Sequence, residues 1–586
     1  MKLCRALMIL AVLLTAYSFV ILAMMVPWVF AAIVIGLIAL AAKGGYIRLT
    51  AFGTARWADA DDLRKTGMLD GEGLIVGRIA GQKSLKGFLA LFNPRVDSSV
   101  ACQQFLALWR KPEPSLVRLT KAVHTAVFAP TGVGKGVSCV IPFLQTCPDS
   151  CVVLDFKGEN ARLTAKFRQE VFGHTVKIID PFRVTTQTPD SFNPLDFIDK
   201  DSSVALDEIR GLAEALVLRT GKEHEVHWAD SAEIWIAAMI AVVVLYGETD
   251  DRSLQTVRGL LSKPAEMEAV IKLMCDSPAW DGMLSRLGHQ LTQFKDKELG
   301  STLTTTNRFL RFLDTIAIAE STKGSSFDPA DLLTGKMTVY LILPPEHMRA
   351  QSALLRMWIG SLLRAVVRGG LQERKKVHFI LDEAASLGHM DALDDAVDKF
   401  RGYGIRLQLY YQSLGQLKKC WPEGQEQTLL SNTTQVFFGT NDNDTAKYVS
   451  DRLGEATIIV DSGGTSSGQS HQVSEQNGQG STSYSWNTSS NWQQQARRLL
   501  KPEEVMALPE RTAITFAPKI PPVATTLVRY FEERNLGQGP GWFKRVWSGV
   551  TIWAAAVFLI GLAGSLAVLT TNAAHRDRVI PYSLTK

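Results

Sequence analysis

Charge is missing from two long stretches of the chain, and the apolar positions between them switch from strand-like to helical spacing and back. From residue 6 to residue 42 there is no charged side chain. A membrane-crossing helix takes roughly 17–25 residues, so this run accommodates two short spans, with Pro27-Trp28 placed for the turn. Lys2 and Arg5 precede it and Lys43 and Arg48 follow it. Basic residues on both flanks put both ends on the cytoplasmic side, which predicts a hairpin over residues 1–45. The run is too long for a signal peptide. Residues 546–571 are again uncharged, after Lys544-Arg545, and predict a third span. Residues 572–586 would then lie outside, although His575, Arg576 and Arg578 on the exit side weaken that orientation.

Inside these ends, mostly apolar runs at 151–155, 337–343, 377–381, 405–411 and 436–439 read as buried parallel strands. From 202 to about 319 the spacing is helical instead, as in 206–218 and 232–245. The pattern predicts an α/β domain in two parts, 46–200 and 326–540, interrupted by an inserted all-α domain at 201–325. Residues 461–495 are rich in Gly, Ser, Gln and Asn, with little apolar content, and are expected to form a flexible loop.

The chemistry is concentrated in Ala129-Pro130-Thr131-Gly132-Val133-Gly134-Lys135-Gly136, between an apolar run and a helix-like run. Nucleotide phosphates need converging backbone N–H groups, a helix N-terminus and one mobile cation. Gly132 and Gly134 let the backbone curl, Lys135 supplies the cation, and Thr131, Val133 and Gly136 complete the candidate phosphate loop. The loop departs from G-x-x-x-x-G-K-[ST] twice. Ala129 takes the first Gly position, and Gly136 takes the place of the hydroxyl that normally meets Mg²⁺. A second carboxylate-bearing strand is present: residues 377–381 end in Asp382-Glu383. Asp382 is the candidate Mg²⁺ ligand, and Glu383 is placed to polarise an attacking water.

Composition adds limits. With 586 residues and a formal charge of +5, no overall basic field announces nucleic acid, so any such surface must be local. The seven cysteines are scattered, and Cys147 with Cys151 forms no recognisable metal pair, which suits a reducing compartment. His224-Glu225-Val226-His227 with Asp230 lacks the zincin spacing and reads as a polar helix start. Lys418-Lys419 beside Trp421 reads as a solvated face.

The motifs occur in an order that resembles the TraG-like coupling proteins of conjugative type IV secretion systems. The resembling segments are Phe52-Gly53-Thr54-Ala55-Arg56-Trp57-Ala58, the phosphate loop running on to Ile141-Pro142, and Leu154-Asp155-Phe156-Lys157-Gly158-Glu159-Asn160. Ser191-Phe192-Asn193-Pro194-Leu195, Leu381-Asp382-Glu383, Tyr410-Tyr411-Gln412-Ser413 and the block from Arg498 to Met506 follow. The resemblance implies a RecA-like P-loop NTPase core with an inserted all-α domain and transmembrane helices. It implies an inner-membrane, multi-pass ATPase using ATP and Mg²⁺, and a loop that tolerates Gly136. It assigns Arg401 as an arginine finger reaching the neighbouring subunit's nucleotide, hence a homo-hexameric ring, and Gln412 as a sensor of the γ-phosphate. It also implies partners: single-stranded DNA, a relaxase and its relaxosome, and the type IV secretion channel. The family usually has a larger external loop between its N-terminal spans, nearly absent here. Two other readings stay open: a double-stranded DNA translocase of the chromosome-segregation kind, and a substrate receptor that binds ATP without hydrolysing it.

Overall fold

The computed structural model describes residues 6–15, 17, 51–79, 102, 105, 115–219, 226–372, 374–422, 424–473 and 480–532. The segments expected to span a membrane lie almost wholly outside these residues; within the first of them, Ala6–Thr15 is helical. The chain divides into two units at Arg529, and the second, Tyr530–Lys586, is described only at the 3₁₀ turn Tyr530–Glu532.

The strands are β1 (Leu74–Ile79), β2 (Ser115–Leu119), β3 (His124–Phe128), β4 (Ser150–Asp155), β5 (Thr175–Ile179) and β6 (Met337–Ile342). They continue with β7 (Val377–Leu381), β8 (Ile405–Tyr411), β9 (Thr433–Phe438), β10 (Glu455–Val473), β11 (Gly480–Arg498), β12 (Thr512–Phe516) and β13 (Val523–Thr526). Among the described residues eleven of them form one sheet in the order β2-β1-β13-β12-β9-β3-β8-β7-β4-β6-β5. From β9 to β5 every pairing is parallel. β12, β13, β1 and β2 extend that core with antiparallel pairings.

The inner parallel strands β4 and β6 are buried at every residue because both faces of the sheet are covered there. Successive residues of β4 enter different cores, Val152 and Leu154 on one face, Cys151 and Val153 on the other. The second core also receives Phe143 and Leu144 of helix Ile141–Thr146, which follows the phosphate loop. Between β3 and β4 the chain crosses three places along the sheet. Such a switch opens a crevice at the carboxyl ends of parallel strands, where ligands bind in open α/β sheets.

Seven helices, from Ala205–Leu216 to Ile316–Thr322, separate β5 from β6 among the described residues, with no strand between them. Among the described residues one helix, His227–Tyr246, is long and apolar enough to cross a membrane, yet 72% of its apolar window is buried inside the fold. Trp235, Ile236, Met239 and Ile240 are all fully buried there, so core packing accounts for its apolar surface all round. At its start, His227 meets Glu298 at 3.2 Å and Asp230 pairs with Arg219 at 2.5 Å; His224 and Glu225 fall outside the described residues.

Residues 461–495 differ from the flexible loop expected of them. Those that are described, 461–473 and 480–495, belong to a two-stranded antiparallel ribbon, β10 with β11, paired from Glu455↔Arg498 out to Val473↔Gly480. Low apolar content argues against burial but not against pairing, since a ribbon satisfies its backbone groups across one ladder without a core. The ribbon's base explains the motif at residues 52–58. Thr54 bridges Ala456, and Ala55 N–H donates to the Glu455 carbonyl at 3.0 Å. A side chain at Gly53 would come within 2.1 Å of that same carbonyl oxygen, so only glycine fits the approach.

Candidate nucleotide-binding site

β3 carries the chain up the centre of the sheet and releases it at the crevice. Ala129 is fully buried, its N–H donating to the Tyr411 carbonyl at the end of β8 at 2.9 Å, so the first loop position belongs to the core. Gly132 (φ 90°) and Gly134 (φ 100°) then turn the backbone through the left-handed region. At Gly134 a Cβ would approach Val137 Cγ2 to 3.0 Å, whereas at Gly136 an added Cβ meets nothing within 4 Å. Thr131 is exposed and Val133 half-buried, its side chain set against Gly439 beyond β9. After Lys135 a π-helical turn, Gly136–Val140, leads into helix Ile141–Thr146; π turns of this kind recur at functional sites.

Lys135 keeps only 10% of its side chain exposed, and its Nζ is buried without a hydrogen-bond partner. The carboxylate of Glu383 stands 3.7 Å away. An ammonium carries three N–H donors, and with one carboxylate at 3.7 Å it can still take a further anionic acceptor. A phosphate fits.

β7 lies two places from β3 and delivers Asp382 and Glu383 to the same crevice. Burial pushes the Asp382 carboxyl up to about 6; Lys135 opposes that rise, while Glu383 and Asp155 add to it. Asp155, at the end of β4, is 2% exposed and accepts the Ala161 N–H at 2.9 Å, tying the next helix to its strand. Burial likewise raises it. Asp382 thus has Lys135, Glu383 and Asp155 as charged neighbours, and it is the carboxylate that no hydrogen bond engages elsewhere among those described, which leaves its oxygens available to a divalent cation.

Glu383 adopts φ 72°, an uncommon conformation for a residue with a side chain. Its Oε1 accepts from Gln412 Nε2 at 2.9 Å and from Gln416 Nε2 at 3.1 Å. Gln416 Oε1 in turn accepts the Gln412 backbone N–H at 2.8 Å. Both glutamines follow β8, which runs between β3 and β7. The fold therefore gathers Lys135, Asp382, Glu383 and Gln412 within one crevice. Arg401 is not among them. It is exposed in the 3₁₀ turn Phe400–Tyr403, at the start of β8 and so at the opposite end of that strand from Gln412.

Gln416 and Asp155 escaped the reading of the sequence. Gln416 carried a signal: Ser413 caps helix Leu414–Cys420, and a Gln three residues later is the capping-box position. Here that glutamine reaches one residue past the cap and holds Glu383 as well. Trp421 is core rather than surface, its indole N–H donating to Tyr411 Oη at 3.3 Å, while Lys418 and Lys419 stay exposed.

Comparison with known proteins agrees with this geometry. The sequence pattern of the family described as type IV secretory system conjugative DNA transfer matches residues 56–550. VirD4 of Agrobacterium fabrum is 28% identical over 495 residues, covering 83% of this chain and 66% of that protein. The coupling protein VirD4 of Bartonella quintana is 28% identical over 425 residues, covering 71% and 64%. TraG of Escherichia coli is 25% identical over 478 residues, covering 78% and 71%. The matched region thus spans slightly under two thirds of the VirD4 relatives. In fold, the plasmid coupling protein TrwB, solved with ADP and Mg²⁺, superposes with a TM-score of 0.51 at 18% identity, over 71% of this chain and 88% of that one. An α/β P-loop core, a glycine-rich loop that ends in a buried lysine, and a match over most of the length place this chain in the type IV secretory system conjugative DNA transfer family.

Proposed function

We propose that this chain is a coupling protein of conjugative DNA transfer: a multi-pass inner-membrane ATPase, assembled as a homo-hexamer, that delivers relaxase-bound single-stranded DNA to a type IV secretion channel. The observation that carries the enzymatic part is the buried Lys135 Nζ, 3.7 Å from the carboxylate of a Glu383 that two glutamine amides hold in place. In this reading Thr131 to Gly136 wrap the phosphates of ATP, and Lys135 pairs with the terminal ones. Glu383 orients a water in line with the γ-phosphorus and accepts its proton as the β–γ bond breaks, giving ADP and phosphate. Gln412 keeps Glu383 aimed and senses whether the γ-phosphate is present. Asp382 would hold Mg²⁺, which when bound neutralises charge on the phosphate oxygens. Arg401 acts on the next subunit's nucleotide, a role with which its exposed place at the far end of β8 is compatible.

The membrane part rests on the uncharged stretches at 6–42 and 546–571. The DNA, relaxase and channel partners rest on family membership. The missing hydroxyl at Gly136 favours a second reading, a receptor that binds ATP without hydrolysing it. One experiment separates them. The purified full chain should hydrolyse ATP faster with single-stranded than with double-stranded DNA, and Lys135→Ala should abolish both that turnover and plasmid transfer in matings. Transfer that survives Lys135→Ala, with no turnover in the wild type, sinks the motor and leaves the receptor; preference for duplex DNA points to a chromosome-type translocase.

A further inference from the structure

At the opposite end of the same sheet, away from the phosphate loop, three side chains of different chemistry converge. Cys147 follows the last turn of helix Ile141–Thr146, Asp149 leads into β4, and His378 is the second residue of β7. His378 Nε2 stands 3.1 Å from Asp149 Oδ2, and Cys147 Sγ stands 3.8 Å from the same oxygen. All three candidate ligand atoms lie within 4.8 Å of one another. We propose that Cys147, Asp149 and His378 form a site for a zinc-like divalent transition-metal ion.

The spacing is right. Zn–S bonds of about 2.3 Å and Zn–N or Zn–O bonds of about 2.0–2.1 Å in a tetrahedron put ligand atoms roughly 3.3–3.7 Å apart. The three observed atoms need only small movements to reach that. Sulfur, imidazole and carboxylate together are a donor set that favours zinc over magnesium or calcium.

The backbone that presents two of the ligands is also pinned. Arg168, fully buried, donates through Nη1 to the carbonyls of Leu144 (2.8 Å) and Cys147 (2.9 Å), and through Nη2 to that of Asp149 (2.6 Å). His174 Nε2 lies 2.9 Å from the Pro148 carbonyl between them. The His378 ring is set edge-on to Phe143, 4.9 Å between centroids. Outer contacts that fix ligand orientation in this way are what metal sites rely on.

A pocket lined by Thr125, Lys376 and Arg406 as well as the three ligands opens beside them, leaving the fourth coordination position to water. The two cations there do not exclude a metal. Binding displaces the thiol proton to solvent, so thiolate, carboxylate and 2+ ion sum to zero and the loaded site is neutral, one charge more positive than the empty one, beside Lys376 and Arg406. The metal would clamp the helix behind the phosphate loop to the strand that carries Asp382 and Glu383, from the side away from nucleotide.

The test uses the full chain, purified in detergent, loaded with Co²⁺ or Zn²⁺ and desalted. Wild-type protein should retain one metal per chain and, with cobalt, show a thiolate-to-metal charge-transfer band in the near ultraviolet. Cys147→Ser should lose the band, His378→Gln should weaken metal affinity at least roughly tenfold, and Cys275→Ser should behave as wild type. The melting temperature should rise with Zn²⁺ and fall with chelator. Wild-type protein that retains no metal and shows no band overturns the proposal without reference to any variant, and a band that persists in folded Cys147→Ser overturns the ligand assignment.

Discussion

Lys135, Glu383 and Asp155 are the charged neighbours of Asp382, and the Lys135 ammonium stands 3.7 Å from the Glu383 carboxylate. The folded value of Asp382, about 6, is above the ordinary 3.8, so its contribution to stability is fully present below the unfolded value and lost as pH rises through about 6. Asp382→Asn should therefore raise the melting temperature of nucleotide-free protein near about pH 8, and that gain should vanish by about pH 4. Calorimetry across pH checks it, and the same variant should bind Mg²⁺-nucleotide more weakly. The loop glycines differ in a measurable way too. Gly136→Thr meets no neighbour and should keep nucleotide affinity in Mg²⁺ within about threefold of wild type or improve it, since it supplies the usual hydroxyl. Gly134→Ala, at φ 100° and against Val137, should weaken binding at least about tenfold. Titration with a fluorescent nucleotide separates the two.

Between elements, the helical segment and the segment after β7, the strand that ends in Asp382-Glu383, are joined by buried polar contacts. Arg356 of helix Met348–Arg368 donates to the carbonyls of Ala215 (3.0 Å) and Leu387 (3.1 Å), and also to that of His389. Glu214 of helix Ala205–Leu216 hydrogen-bonds Asp391, just beyond the β7 exit, and is raised to about 7 by burial first and that neighbour second. Stability from a raised carboxyl is lost between its unfolded and its folded value, so wild-type protein should lose melting temperature between about pH 4.5 and 7. Glu214→Gln keeps the hydrogen bond without titrating and should flatten that loss; an unchanged pH profile would remove Glu214 from the account. None of this was legible in the sequence, because Glu214 and Asp391 are far apart along the chain and neither belongs to a motif. What was legible depended on short-range pattern. The runs at 377–381 and 405–411 match β7 and β8 to the residue, and the loop glycines sit where their φ values need them. The ribbon at 455–498 was not, since backbone pairing without a core leaves no apolar period to read. Gln416 needed the three-dimensional return of its helix onto Glu383.

For the whole molecule, the separation of Arg401 from the crevice of its own chain is the informative fact. An exposed guanidinium at one end of β8 and a glutamine at the other cannot serve one nucleotide, so a catalytic Arg401 has to come from another copy. In an oligomer, an Arg401→Ala subunit keeps its phosphate loop and a Lys135→Ala subunit keeps its finger. Co-assembling the two inactive variants should restore part of the ATPase activity wherever an intact loop meets an intact finger. The loss in Arg401→Ala alone should approach the roughly 10³–10⁵-fold seen for such fingers in other NTPases. No recovery in verified mixed oligomers of folded subunits would remove Arg401 from catalysis.

The account stands most directly on Glu383. A single-turnover chase with γ-labelled ATP on the Glu383→Gln protein isolates it, because the amide keeps the side chain's shape and its place beside Gln412 and Gln416 while removing the proton acceptor. ATP should bind with wild-type affinity and remain intact, with phosphate release slowed by roughly 10²–10⁴-fold. Phosphate released at the wild-type rate would contradict the assignment of this crevice as the hydrolytic centre.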